Sequence, residues 1–468
     1  MRSQQVFKLL REYESRNVTH LDPDGSWPIV WERARGVHVW DAEGKRYLDL
    51  TAAFGVAAAG HANPRVVRAG QAQMGKLLHA MGDVHPHALK AQLARELSRL
   101  TFERWTACGT RGSAPRGRSQ ERPLTGKVIF SNSGFEAVES ALKTALLATG
   151  KPGVIAFAGA YHGLGYGALN ATHRGHFRSP FRSQLGEFGH FAPFPTRASE
   201  LPVVEREIRG LFRGQKIGAI LVEPVQVRGG INIPPAAFLP MLRTLATQHQ
   251  ALLVLDEIYT GFGRTGTWFA CEHSGTVPDM ICLGKGLTGG FPLSACVGRA
   301  DVMDTAWPAS SGEAIHTSTF LGHPVGCAMV LANMAEIRRR KLVGRSARLG
   351  ASLLGMLARL RPAACLPHSI RGIGLLAGIE LRRRDGSPAS AEAIDVVKRM
   401  LERGFILLPE GEHGNVVGLT PPLVITEKQM ERTIRVLAEV LTEIRAAVRG
   451  RSTKTQRGRA ATKTRLSA

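Results

Sequence analysis

Ala219–Pro292 reads AILVEPVQVRGGINIPPAAFLPMLRTLATQHQALLVLDEIYTGFGRTGTWFACEHSGTVPDMICLGKGLTGGFP. Its apolar runs, Ala219–Val222, Leu252–Leu255 and Met280–Leu283, stop abruptly at Glu223, at Asp256-Glu257 and at Gly284-Lys285-Gly286. Short apolar runs bounded by turn signals fit strands buried on both faces of a parallel sheet. Between the first two, Pro234–Gln250 opens on two prolines and carries Phe238, Leu242 and Leu245 on one helical face, which predicts a helix. The right-handed crossover of such a strand–helix–strand unit runs both strands the same way. Ligands of these sheets bind beyond the carboxyl ends of the strands. Glu223, Asp256 and Lys285 are therefore expected to converge on one crevice.

The chain has 468 residues, enough for two domains or one large domain with an appendage. At 44% hydrophobic it has the composition of a globular protein. No apolar run approaches the ~18 residues of a spanning helix, and the N-terminus MRSQQVFKLLREYESR lacks the apolar core of a signal peptide. The expectation is a cytoplasmic protein without membrane contact. The six cysteines (Cys108, Cys271, Cys282, Cys296, Cys327 and Cys365) form no C-x-x-C pair, and the sixteen histidines show no H-E-x-x-H spacing. Reduced structural thiols and no metal site are expected.

The net charge of +23 is unevenly spread. Residues 449–468, RGRSTKTQRGRAATKTRLSA, hold seven Lys/Arg and no acid, the composition of a disordered basic tail. Such a tail could meet nucleic acid or simply be solvated. Without a nucleic-acid-binding motif elsewhere, nucleic-acid contact is not expected. Thr101–Gly126 holds five arginines and two glutamates and reads as an aperiodic surface loop.

Along the chain, Val6–Tyr13 predicts an amphipathic helix, and Val37–Leu50 a hairpin turning at Glu43-Gly44. The small-residue stretch TAAFGVAAAGHANPRV would let backbone approach a ligand or a second subunit. Helices are expected over Pro64–Leu78 and Pro86–Leu100. From Lys127, KVIFSNSGFEAVESALKTALLATG gives a strand, a Ser-Asn-Ser-Gly turn and a helix ending at Gly150. Free N–H groups and the helix dipole could hold a phosphate there, though many such turns bind nothing. VIAFAGAYHG predicts a further strand ending at Tyr161-His162. After Arg338–Lys341 come a helix (Leu349–Leu360), a strand (GIGLLAGIEL), a helix (Ala389–Arg403) and a last helix within Val424–Ala447. The division expected is an N-terminal segment 1–63, a large domain 64–340 including the Arg-rich loop 101–126, a small domain 341–448 and the tail 449–468. The fold class is α/β: a large domain with a mostly parallel central sheet flanked by helices, plus a smaller α+β domain built from the C-terminal part and the N-terminal segment.

A phosphate turn, a tyrosine, an aspartate and a lysine, in that order at strand ends, suit an aromatic aldehyde cofactor that carries a phosphate. Lysine can form a Schiff base with its aldehyde, aspartate can keep a pyridine nitrogen protonated, and tyrosine can stack on the ring. Singly, each residue could be a surface lysine, a helix cap or core packing. Together the motifs VWDAEGKRYLDL, GHANP, FSNSGFEAVESALK, GAYHG, LVEPVQ, LVLDEIYTGFGRTG, PDMICLGKGLTGGFPLSA, HTSTFLGHP, RGIGLLAGIEL and TPPLVIT resemble the class III pyridoxal-phosphate aminotransferases. These are fold-type I enzymes that include ω-amino acid, ornithine and 4-aminobutyrate transaminases, and the resemblance runs from about Val37 to Leu441. It implies pyridoxal 5'-phosphate as cofactor, with Lys285 as its Schiff-base lysine and catalytic base and Asp256 as partner of the pyridine nitrogen. It implies Ser133, Gly134, Phe135 and Thr319 for the phosphate, with Tyr161 and Ile258 against the ring faces. Phe54, Glu223, Arg228 and Ser318 are the substrate candidates. It further implies an amine donor and an oxo-acid acceptor used in ping-pong order, and a homodimer with shared sites, Thr319 reaching the neighbour's cofactor.

Four positions depart from the family pattern. Phe135 replaces a small or hydroxyl residue in the phosphate turn, and Tyr259 replaces a glutamine. Val227-Arg228 replaces Gly-Glu after EPVQ. Gly418 stands where many relatives carry an arginine that clamps a substrate carboxylate and pairs, when switched out, with the glutamate matching Glu223. Either another arginine takes the oxo-acid or the acceptor is not a dicarboxylate. Two alternatives to a transaminase are an aminomutase of the same fold, similar to the glutamate-1-semialdehyde enzyme, and a non-catalytic protein acting through its basic tail. GFGRTG after Asp256 argues against the first, and retention of Lys285 and Asp256 against the second.

Overall fold

The computed structural model describes residues 1–23, 25–107, 124–360 and 366–444. The chain opens with a helix, Ser3–Tyr13, and three antiparallel strands: β1 (Trp31–Arg35), β2 (His38–Asp41) and β3 (Arg46–Asp49). The next seven strands form one sheet. They are β4 (Gly126–Ser131), β5 (Gly153–Phe157), β6 (Gly189–Ala192), β7 (Ile217–Val222), β8 (Leu252–Asp256), β9 (Met280–Leu283) and β10 (Ser294–Arg299). Their order is β4-β10-β9-β8-β7-β5-β6, and only β10 runs against its neighbours. The carboxyl ends of β4, β5, β7, β8 and β9 therefore share one edge.

Side-chain alternation explains why both faces of this sheet are covered. On one face Ile220, Val222, Leu253, Leu255, Ile281 and Leu283 pack with Phe238, Leu242 and Leu245 of the helix Phe238–Gln248. On the other, Ala219, Leu221, Val254, Met280 and Cys282 pack with Ala137, Val138, Ala141 and Ala145 of the helix Gly134–Thr149. The expected helix between β7 and β8 starts at Phe238, after the two prolines.

The C-terminal part adds β11 (His368–Gly372), β12 (Ala377–Leu381), β13 (Phe405–Ile406), β14 (Leu408–Glu410) and β15 (Val416–Leu419). Strands β11, β12, β15 and β14 make an antiparallel sheet, while β13 pairs in parallel with β3. The N-terminal strands and the C-terminal part are thus joined through one sheet. The Glu43-Gly44 hairpin and the helices Pro64–Lys76, Ala88–Ser98, Ser390–Glu402 and 427–444 follow the sequence pattern. Cys271, Cys282, Cys296 and Cys327 are free and buried. No helix among the described residues is long and apolar enough to cross a membrane.

Two expectations are corrected. GIGLLAGIEL is not one strand: β11 ends at Gly372 and β12 begins at Ala377. At Gly374, φ is +57° and a Cβ would stand 2.4 Å from the Thr265 carbonyl carbon, so the chain turns where glycine alone fits. The first part of Thr101–Gly126 is not surface loop either. A π-type turn, Arg99–Glu103, leads into the helix Arg104–Ala107 and buries Thr101, Phe102 and Trp105. Trp105 lies edge-on to Phe102 and Phe269. Their three- and four-residue spacing continues the face of Leu93 and Leu97, a signal hidden by the Gly- and Arg-rich composition that follows. Residues 108–123 of that segment, and the tail 449–468, lie outside the described residues.

Candidate active site

A cavity of about 540 Å³ opens at the shared carboxyl edge of the central sheet. Phe54, Gly134, Phe135, Tyr161, Glu223, Arg228, Asp256, Ile258 and Lys285, nine of the candidates, line it. Asp256 ends β8 and is 5% exposed. Its Oδ1 accepts the Ile258 N–H at 3.1 Å, and its Oδ2 accepts from Nδ1 of His162 at 2.8 Å. His162 is buried, and its Nε2 has no partner among the described residues. Its ring is aimed by the backbone, since its own N–H donates to Thr172 Oγ1 at 3.0 Å. Glu257 points away from the cavity: it accepts from the N–H groups of Ala270 and Cys271 at 2.9 and 2.8 Å and from the Thr260 hydroxyl. Burial pushes its carboxyl up to about 7.

Lys285 follows β9 between two glycines, in the left-handed region at φ +41°. Its Nζ lies 4.5 Å from the centroid of the Tyr259 ring. Burial lowers its pKa, an effect opposed by the carboxylates of Asp256, Glu223 and Glu410. A larger neutral fraction makes the amine a better nucleophile and base. Tyr259 is itself fixed, its hydroxyl 3.3 Å from Thr420 Oγ1.

Glu223 follows β7 and, among the described residues, takes only backbone donors, Tyr161 N at 3.0 Å and Val227 N at 3.4 Å. Burial pushes it up to about 7. Tyr161 follows β5 after the turn 158–160, and the Arg228 guanidinium sits 6.0 Å from its ring centroid. Arg228 Nη1 donates to Oε2 of Glu410 at 2.9 Å.

The turn after β4 begins the helix Gly134–Thr149. Glu136 Oε2 accepts from Asn132 N at 2.9 Å and from Ser133 N and Oγ at 2.7 and 3.1 Å. Ser133 is thereby engaged with Glu136 and does not line the cavity. Among the described residues nothing takes the N–H groups of Gly134 and Phe135, which leaves them for an anion. A Cβ on Gly134 would stand 3.1 Å from Ile258, so the turn packs closely against that side chain. Ser318 receives a 3.4 Å hydrogen bond from Asn132 and, like the exposed Thr319, does not line this chain's own cavity.

Phe54 reaches the cavity from a strained run. Ala52, Ala53, Phe54 and Gly55 all have positive φ, from 48° to 84°. Fully buried Asp49 holds this run by accepting from Thr51 N and Oγ1, Ala53 N and His61 Nε2.

Sequence reasoning passes over three participants. His162 stands beside Tyr161 in GAYHG, where its position was a usable signal. Tyr259 is visible as a departure from the family pattern, though its contact with Lys285 is not. Glu410 carries no signal at all.

An amine and a carboxylate at adjacent strand ends, two free helix-start N–H groups and an apolar wall at Ile258 match the aldehyde, ring nitrogen, phosphate and ring face of pyridoxal phosphate. The comparisons with known proteins agree. The "Aminotransferase class-III" family profile matches residues 22–441. The chain is 35% identical over 428 residues to a 5-aminovalerate aminotransferase of Pseudomonas aeruginosa, covering 89% of this chain and 94% of that one. It is 35% identical to an acetylornithine aminotransferase of Methanopyrus kandleri, covering 90% and 96%. An amine transaminase from an uncultivated Pseudomonas species, solved in its PLP-bound form, superposes with a TM-score of 0.80 at 27% identity, covering 92% of this chain and 99% of that one. The chain belongs to the class III aminotransferases. It is a pyridoxal-phosphate-dependent transaminase that passes an amino group from an amine or amino acid to an oxo-acid.

Proposed function

We propose that Lys285 and Asp256 carry this transamination, with the roles of the surrounding residues set by their places at the sheet edge. When bound, pyridoxal phosphate supplies an aldehyde that takes up the amino nitrogen and a ring that accepts the electron pair of the donor carbon. Lys285 Nζ would hold the cofactor through its aldehyde, and the same amine would serve as the base for the proton on the donor carbon. Asp256, braced by His162, would meet the ring nitrogen with a carboxylate that needs no reorganisation as charge develops. The N–H groups of Gly134 and Phe135 would hold the phosphate, with Ser133 shaping that turn through Glu136. Ile258 and Tyr161 would pack against the ring faces, and Phe54, Glu223 and Arg228 would border the substrate, whereas Ser318 lies outside this chain's own cavity.

The reading includes a homodimer in which Thr319 reaches the neighbouring cofactor. Thr319 is exposed beside apolar Ile315 and Phe320, themselves 75% and 53% exposed, near exposed Met81 and Val84. Thr317 Oγ1 donates to Asp83 at 2.7 Å and so joins the two segments into one face. Apolar area of this kind is commonly covered by a partner. Among the described residues Cys271, Cys282, Cys296 and Cys327 are free and buried, which supports a cytoplasmic setting.

The observation that carries the reading is the convergence of the Lys285 amine and the Asp256 carboxylate beside the unpaired N–H groups of Gly134 and Phe135. Lys285→Ala should abolish the visible absorbance band of the cofactor–lysine adduct and lower transamination by roughly 10³-fold or more. A Lys285→Ala protein that is both yellow and active would refute it.

A further inference from the structure

Gly418 lies on β15, and a Cβ there would meet Glu410 Cγ at 3.1 Å. A long side chain at 418 would enter the space that Glu410 occupies. Glu410 is 5% exposed, and among the described residues Arg228 is its one side-chain partner. Gly411 N also donates to the Arg228 carbonyl at 3.1 Å. The loop after β7 and the end of β14 are therefore tied twice, by backbone and by charge.

Arg228 is the only arginine among the described residues lining the cavity. Arg371 and Arg264 lie nearby but do not line it. Arg371 binds the carbonyls of Gly230 and Ile231 and the Glu380 carboxylate. Buried Arg264 binds the carbonyls of Leu375 and Pro421. Among the described residues the Arg228 side chain makes one hydrogen bond, from Nη1. A guanidinium has five N–H donors in a fork that matches a carboxylate, so most of this fork is unused. Its side chain is 29% exposed, on the cavity side.

We infer that Arg228, held at rest by Glu410, is the side chain that binds the substrate carboxylate, of the oxo-acid and of amino-acid donors alike. This inference rests on the transaminase site proposed above. With Arg228 on Glu410, the wall presents a neutral pair to an amine without a carboxylate. An entering carboxylate competes with Glu410 for the same fork, so Glu410 sets how much affinity the acid retains. Gly418 then suits the arrangement and is not merely a lost arginine, because a side chain there would crowd Glu410.

The test uses the holoenzyme and glutarate, an unreactive dicarboxylate, measured by calorimetry and as an inhibitor. Arg228→Gln should weaken glutarate at least 30-fold. It should raise the KM for pyruvate or 2-oxoglutarate at least ten times more than the KM for hexylamine, which has no carboxylate. Arg228→Lys, which keeps the charge but not the fork, should fall between. Glu410→Gln should tighten glutarate several-fold. A merely structural role would shift acid and amine together. Glutarate affinity within threefold of wild type in Arg228→Gln, equal losses for acid and amine, or no tightening in Glu410→Gln would overturn the inference. If wild type showed no amine-dependent change in the cofactor's visible absorbance, the transaminase-site reading itself would fail instead.

Discussion

Glu223 shows how little of a side chain's behaviour follows from its identity. Its carboxyl is buried at a strand end with backbone donors only, and burial pushes it up from 4.5 to about 7. A carboxyl raised on folding binds more protons in the folded state between those two values. Stability therefore falls as pH rises from about 4.5 to about 7 and then levels off. Glu223→Gln removes that slope. Relative to wild type, the variant should gain roughly 3 kcal/mol between about pH 4 and pH 8, read from urea unfolding across the range. A difference that does not vary with pH would show that Glu223 is not desolvated in this way. Lys285 is the converse case: burial disfavours its charged form, and the acids around it limit the effect.

At the scale of elements, the strand ends deliver the chemistry and the loops aim it. The run Ala52–Gly55 is an example, with left-handed non-glycine residues that each cost on the order of 1 kcal/mol. Asp49 offsets this by receiving two backbone N–H groups, a hydroxyl and the His61 ring. Asp49→Ala strands those buried donors, and the expected loss is about 3 kcal/mol by urea unfolding. A loss under about 1 kcal/mol would mean that the run holds itself. The small-residue stretch was legible as a place of close approach, and Gly55 fits that: its Cβ would stand 3.0 Å from the Tyr259 ring. The resemblance makes Phe54 a substrate candidate, but the left-handed run that turns it into the cavity was not legible, because consecutive left-handed residues other than glycine have no composition signal. The misread turn at Gly374 has the same origin. An apolar run says that residues are buried but not that the backbone bends between them.

For the whole molecule, the three sheets bring residues from most of the chain to one cavity, and the proposed dimer would complete it. That proposal predicts complementation. Thr319→Ala should weaken cofactor binding about tenfold if its hydroxyl reaches a neighbour's phosphate, consistent with loss of a charge-assisted hydrogen bond. Mixing it with inactive Lys285→Ala chains should then create dimers with one fully wild-type site, recovering tight cofactor binding and activity at that site. Sedimentation would report the assembly. A strictly monomeric chain, or no recovery on mixing, would remove the shared-site arrangement.

The sequence by itself determined the parallel sheet, the edge on which its strands end and the placement of Asp256 and Lys285 at that edge. It could do so because those features are local: an apolar run, its length and the residue at which it stops. Only the tertiary structure decided that His162 braces Asp256, that Tyr259 underlies Lys285 and that Glu410 holds Arg228 in the space left by Gly418. Each of these joins residues far apart in the chain through the packing of separate elements, and nothing in the spacing of either partner specifies the other.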